Sequence, residues 1–129
     1  MPNTEEYESN EVRPWGRYDV LDRGEGYLVK RLVINPRSET SLQKHYHRQE
    51  YWLVVGGYPN LELHELEDGI HKGITSYGAY PGMSLRVRRG MPHRIKNNSD
   101  EYVTIIETWM GDDLRESDIE RLEDKYGRV

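Results

Sequence analysis

The chain has 129 residues and a mass of 15.3 kDa, the size of one ordinary domain. A mean hydropathy of −0.94, with no apolar run near the ~20 residues of a spanning helix and no basic or apolar leader, argues against membrane insertion and classical secretion and predicts a cytoplasmic protein. Cys is absent, so any metal site must use His, carboxylate or amide, and the net charge of −5 provides no basic field for nucleic acid or a membrane surface.

Much of that acidity is local. Glu5, Glu6, Glu8 and Glu11 fall in residues 1–12 without a Lys or Arg, so this stretch reads as a flexible acidic arm. Residues 13–129 then read as a single domain, opened by the turn signal Arg13-Pro14-Trp15-Gly16. Short β-branched segments follow at residues 27–34, 42–47, 50–55, 61–66, 74–77, 84–88, 91–97 and 102–109. Gly56-Gly57, Pro59-Asn60, Asp68-Gly69, Pro81-Gly82 and Asn97-Asn98 separate several of them. Strands at this spacing, with no helical run between them, predict an all-β antiparallel sandwich or barrel. Only the C-terminus changes period: Ser117-x-x-Glu120 is a capping-box pattern, Ile119, Leu122 and Tyr126 share a helical face, and Gly127 is a stop signal. One short C-terminal helix is expected to lean on the barrel.

The densest chemical signal is residues 41–57. Strand alternation puts Gln43, His45 and His47 on one face, opposite Leu42, Lys44 and Tyr46. After a tight turn at Arg48-Gln49 the pattern restarts with Glu50, Trp52 and Val54 together. His93 shares a face with Met91, Ile95 and Asn97, whose apolar members mark it as inner. A single strand-face His is more often a satisfied core or surface residue than a ligand. The concurrence of Gln43, His45, Glu50 and His93 in type and phase favours a site, because buried Glu and His without partners are costly. His64 and His71 lack that context and read as surface residues.

In this register the sequence resembles the cupins, small double-stranded β-helix (jelly-roll) proteins. The first cupin motif is represented by Gln43-x-His45-x4-Glu50-x6-Gly57, with Gln where His is usual. The second is represented by Gly82-x5-Arg88-x-Gly90-x2-His93-x3-Asn97, with Arg88 where Pro is usual. Aligning His45-x-His47 instead would leave two residues before Glu50 and break the Gly57 register. The Gln, together with Arg13-Pro14-Trp15-Gly16, Pro92-His93-Arg94, Ile106-Glu107 and the ending from Asp118-Ile119 to Gly127-Arg128, narrows the likeness to the cupin domain of type II mannose-6-phosphate isomerases. Tyr51, Arg37, Trp109 and Met110 depart from that family's usual residues, and residues 56–80 match it poorly. The nucleotidyltransferase domain that often precedes this cupin has no counterpart in the 129 residues, so the chain is not expected to make GDP-mannose alone.

The resemblance implies a metal-dependent aldose–ketose isomerase interconverting mannose 6-phosphate and fructose 6-phosphate. Its divalent metal would be held by Gln43, His45, Glu50 and His93, with Zn²⁺ first and Mn²⁺, Fe²⁺, Co²⁺ or Ni²⁺ also compatible. Arg48, on the Glu50 face, and Lys30, between Leu28 and Leu32, are the candidates for substrate oxygens or phosphate. His47 and Glu107 are candidates for proton transfer. Arg94 is functional by resemblance, although alternation from His93 turns it outward. The expected partners are a small phosphorylated sugar and a second copy in a homodimer, with no nucleic acid and no membrane. Two alternatives stand beside the isomerase: a non-catalytic sugar or sugar-nucleotide binding cupin, and another cupin enzyme such as a different sugar isomerase or an Fe-dependent oxygenase.

Overall fold

A computed structural model describes residues 11–129; the expected acidic arm lies outside them except for Glu11 and Val12, which open the first strand. The chain runs through β1 (Glu11–Arg13), β2 (Gly16–Gly24), β3 (Tyr27–Ile34), β4 (Ser38–Glu39), β5 (Leu42–Lys44), β6 (Arg48–Gly56), β7 (Asn60–Glu67), β8 (Ile70–Gly78), β9 (Ser84–Val87), β10 (His93–Asn97), β11 (Val103–Gly111) and β12 (Glu120–Glu123). One sheet has the order β1-β2-β3-β11-β6-β9 and the other β12-β5-β10-β7-β8, with β4 on β10. All pairs are antiparallel. This is the all-β jelly roll of a cupin. No helix among the described residues is long and apolar enough to cross a membrane.

Local sequence explains the strands. β6 alternates Arg48, Glu50, Trp52 and Val54 inward against Tyr51, Leu53 and Val55 outward, and β11 does the same with Val103, Ile105, Glu107 and Trp109. Asp68 and Gly69, with φ of 51° and 77°, close the β7–β8 hairpin with both central residues left-handed. Gly57 has φ 81°, and a Cβ there would lie 2.7 Å from the Tyr102 carbonyl oxygen, so the end of β6 requires glycine.

Register sorts the interior into two zones. Ile105 pairs with Leu32 and Val54, and Val103 with Ile34, forming an apolar floor that Leu61 and Ile95 complete from the other sheet. Further along the same strands Glu107 pairs with Lys30 and Trp52, and Trp109 with Glu50. Lys30, Glu50 and Glu107 thus enter the barrel at one end, where they face one another across neighbouring strands.

The expected C-terminal helix does not form. Residues 120–123 are instead strand β12, paired with β5 through Glu120–Lys44 and Arg121–Gln43. An isolated short helix is marginal because its nucleus is costly. Here the Asp118 carboxylate accepts the backbone N–H groups of Tyr46 and His47, both at 2.9 Å, and pins the segment along the β5 edge. Tyr126 packs against the core all the same, from the turn that follows β12.

Candidate functional site

The charged end of the barrel surrounds a cavity of about 200 Å³ lined by residues of both sheets and of the C-terminal segment. At its base His45, Glu50 and His93 converge from β5's end, β6 and β10, and one donor atom from each lies within 4.8 Å of the others. All three residues are buried.

Their hydrogen bonds orient them. His45 Nδ1 faces the Asp118 carbonyl oxygen at 2.7 Å and His93 Nδ1 faces that of Met91 at 2.8 Å. A ring nitrogen against a carbonyl must carry the proton, so in each neutral ring Nε2 presents the lone pair. The two Nε2 atoms face each other at 3.2 Å, with Glu50 Oε2 3.1 Å from His45 and Oε1 3.7 Å from His93. Two nitrogens bound to one ion at about 2.0–2.1 Å would lie about 3.3 Å apart at the tetrahedral angle. Acceptors converging at this spacing, each His held by a backbone carbonyl behind it, fit a divalent metal.

Electrostatics keeps the Glu50 carboxyl ionised and the His93 ring neutral. Burial pushes the Glu50 carboxyl up, but His45, Arg48 and His93 outweigh it and hold the group well below the usual carboxylate range. Burial lowers His93 to about 4 against the opposing pull of Glu50, so its ring is neutral at pH 7. Glu50 also accepts Trp52 Nε1 at 3.0 Å and Arg48 Nε at 2.9 Å.

Gln43, half-buried and opposite His93 in register, lines the cavity. Arg48 is buried, with its guanidinium 3.4 Å from the centre of the Trp109 ring, and its Nη2 approaches His45 Nε2 at 3.2 Å. Lys30 is buried between the Tyr18 and Trp109 rings, and Glu116 accepts from its Nζ through both oxygens at 2.7 Å. Burial lowers its pKa, with Glu116 and Glu107 opposing. Glu107 accepts the Trp109 indole N–H; burial and then the Glu50 charge raise its carboxyl to about 7. All of these line the cavity.

His47 and Arg94 lie elsewhere. The His47 side chain is exposed, because the chain turns there and only its backbone N–H is engaged, by Asp118. Arg94 sits on the outer face of β10, where it donates to Glu62, Glu39 and Glu123. Neither lines the cavity.

Sequence reasoning missed Arg13, Glu116, Arg121 and Arg128 as residues of the cavity wall. Reading residues 117–127 as helical hid Arg121. The available signal was period two: Ile119 and Arg121 both line the cavity.

Comparison with known proteins places these features. The family described as "Mannose-6-phosphate isomerase C-terminal" matches residues 2–124. The xanthan biosynthesis protein XanB of Xanthomonas campestris pv. campestris is 37% identical over 117 residues, covering 91% of this chain and 23% of XanB. The mannose-1-phosphate guanylyltransferase ManC of Salmonella typhimurium is 37% identical over 117 residues, covering 91% of this chain and 22% of ManC. Among solved structures, Bacillus subtilis oxalate decarboxylase, described with Mn(II) centres, superposes with a TM-score of 0.71 at 17% identity over 89% of this chain and 30% of that one.

The chain spans less than a quarter of the length of the curated relatives it matches. That corrects the expectation of a self-contained enzyme interconverting mannose 6-phosphate and fructose 6-phosphate. The relatives are named for guanylyl transfer and polysaccharide biosynthesis, names that belong to proteins several times longer, and the matching part carries neither activity by likeness alone. With its jelly-roll fold and a match over nearly its whole length, the chain belongs to the mannose-6-phosphate isomerase C-terminal family of cupins.

Proposed function

We propose that the chain is a metal-binding cupin that takes a phosphorylated monosaccharide into the charged end of its barrel. The observation that carries this reading is the pair of His Nε2 lone pairs facing each other at 3.2 Å beside the Glu50 carboxylate, in a cavity whose wall also carries Lys30, Arg48 and three further arginines. His45, Glu50 and His93 hold the ion, and the Gln43 amide is its fourth protein ligand. Zn²⁺ suits this N/O set, and Mn²⁺, described in the oxalate decarboxylase neighbour, also suits it. When bound, such an ion polarises a sugar oxygen as a Lewis acid.

Arg48 and Lys30 lie in the wall, where the rings of Tyr18 and Trp109 hold them in place. A cavity of about 200 Å³ is smaller than the roughly 300–1,000 Å³ of drug-sized pockets, which favours a monosaccharide over a sugar nucleotide. The test is calorimetry with mannose 6-phosphate against mannose, on metal-loaded chain and on His93→Ala. Tighter binding of the phosphorylated sugar, lost with the metal in the variant, is expected; equal affinities or none refute the reading.

A further inference from the structure

The cations first suspected of holding substrate are already engaged. Lys30 is bound by both oxygens of Glu116, and Arg48 by Glu50 and two backbone carbonyls. Arg121 differs: its Nε is buried in the cavity wall without a hydrogen-bond partner among the described residues. Two more guanidinium groups, those of Arg13 and Arg128, line the same cavity. Burial and the like charges of Arg128 and Arg13 hold Arg121 below its ordinary pKa, with Asp124 opposing. Asp124 is itself taken by Arg128 at 2.7 and 3.0 Å. Three arginines therefore crowd one wall with one of them unsatisfied, and an incoming anion would relieve both conditions.

Register gives the placement. Arg121 on β12 is directly opposite Gln43 on β5, and Gln43 is directly opposite His93 on β10. Residues opposite one another in antiparallel strands project to the same face, so Arg121, Gln43 and His93 form one row. Two strand spacings of about 4.8 Å separate the ends of that row by about 10 Å. A phosphorylated monosaccharide laid along it would put its phosphate at Arg121 and its hydroxyl or carbonyl oxygens near His45, Glu50 and His93.

We propose that Arg121, flanked by Arg13 and Arg128, is the phosphate-binding group of this cavity, taking a phosphate monoester at the β12 wall. This rests on the reading that the cavity takes a phosphorylated sugar, and the probes separate the two. Inorganic phosphate is titrated into the full chain while the Arg121 Nε–H resonance is followed. Calorimetry then compares inorganic phosphate, mannose 6-phosphate and mannose on the wild type, Arg121→Gln, Arg121→Lys and Arg86→Gln, the last being an exposed outer-face arginine.

The expected result is a shift of the Arg121 Nε–H resonance on adding phosphate. Both phosphorylated probes should weaken at least tenfold in R121Q, with partial recovery in R121K and no change in R86Q. Affinity for mannose and for the metal should hold in R121Q, which shows that the fold is kept. An unmoved resonance in the wild type, or equal phosphate affinity in R121Q, overturns the proposal. Phosphate binding at Arg121 without mannose 6-phosphate binding leaves the anion site standing and refutes the sugar reading.

Discussion

Glu50 and Glu107 show how two carboxyls inside one barrel are driven apart. Both are buried, but Glu50 has His45, Arg48 and His93 around it, whereas Glu107 has Glu50 as a like charge and only Lys30, Arg48 and the Trp109 N–H in its favour. Glu107 thus holds its proton to about 7 in the folded protein, against 4.5 ordinarily. Between those values the folded state binds more protons than the unfolded one, so the Glu107 contribution to stability is fully present below about pH 4.5 and is lost as pH rises through about 7. At about 1.4 kcal/mol per pKa unit the span is about 3 kcal/mol. His93, lowered to about 4, acts with the opposite sign as pH rises. The two are separated by comparing wild type with Glu107→Gln in metal-free denaturant titrations. The difference between them should shift by up to about 3 kcal/mol in favour of the variant from pH 4.5 to 7.5, and a pH-independent difference would contradict the buried-carboxyl account. Arg37 shows a smaller strain: it has φ 54°, in the left-handed region, and its side chain pairs with Asp100 at 2.9 Å.

At the scale of elements, β12 and the segment before it connect the C-terminus to the metal centre. The Asp118 side chain accepts two backbone N–H groups of the β5–β6 turn, and its own carbonyl oxygen receives His45 Nδ1–H. Burial raises the Asp118 carboxyl, and the Tyr46 and His47 N–H groups then lower it below its usual value overall. Asp118→Ala should destabilise the fold by about 1–2 kcal/mol, since two donors lose their acceptor. It should also weaken metal binding about tenfold by loosening the carbonyl behind His45. Asp118→Asn, which keeps an acceptor, should recover part of both. Thermal unfolding and metal titration read the two effects separately, and unchanged metal affinity in the Ala variant would show that the turn holds His45 without this contact.

For the whole molecule, the ligand set joins the two sheets, with Glu50 on β6 in one and His93 on β10 in the other. An ion bound only by the folded barrel adds about 2.7 kcal/mol of stability at a free concentration of 100 times its Kd. For a domain of this size that corresponds to a rise in Tm of about 10 °C. Chelator should reverse the shift, and Glu50→Ala should abolish it. Calorimetry at fixed protein concentration with and without Zn²⁺ or Mn²⁺ checks the prediction; an unmoved Tm with either ion would refute a metal centre spanning both sheets.

Alternation and turn chemistry made the strands, the inward rows of β6 and β11 and an antiparallel all-β sandwich or barrel legible without coordinates; the cupin architecture came from the resemblance of the motifs. Alternation and turn chemistry are local consequences of backbone geometry: side chains two residues apart share a face, and Asp-Gly or Gly-Gly ends a strand wherever it stands. The C-terminus shows the limit, since Ser117-x-x-Glu120 has a sound local helix signal that the long-range contacts of Asp118 with the β5–β6 turn override. Period two could have turned Arg121 inward with Ile119, but its place in the cavity depends on Gln43, nearly eighty positions earlier, lying opposite it. Composition and period determined which residues face inward; only strand pairing decided which inward-facing charges meet, because contacts distant along the chain leave no period in it.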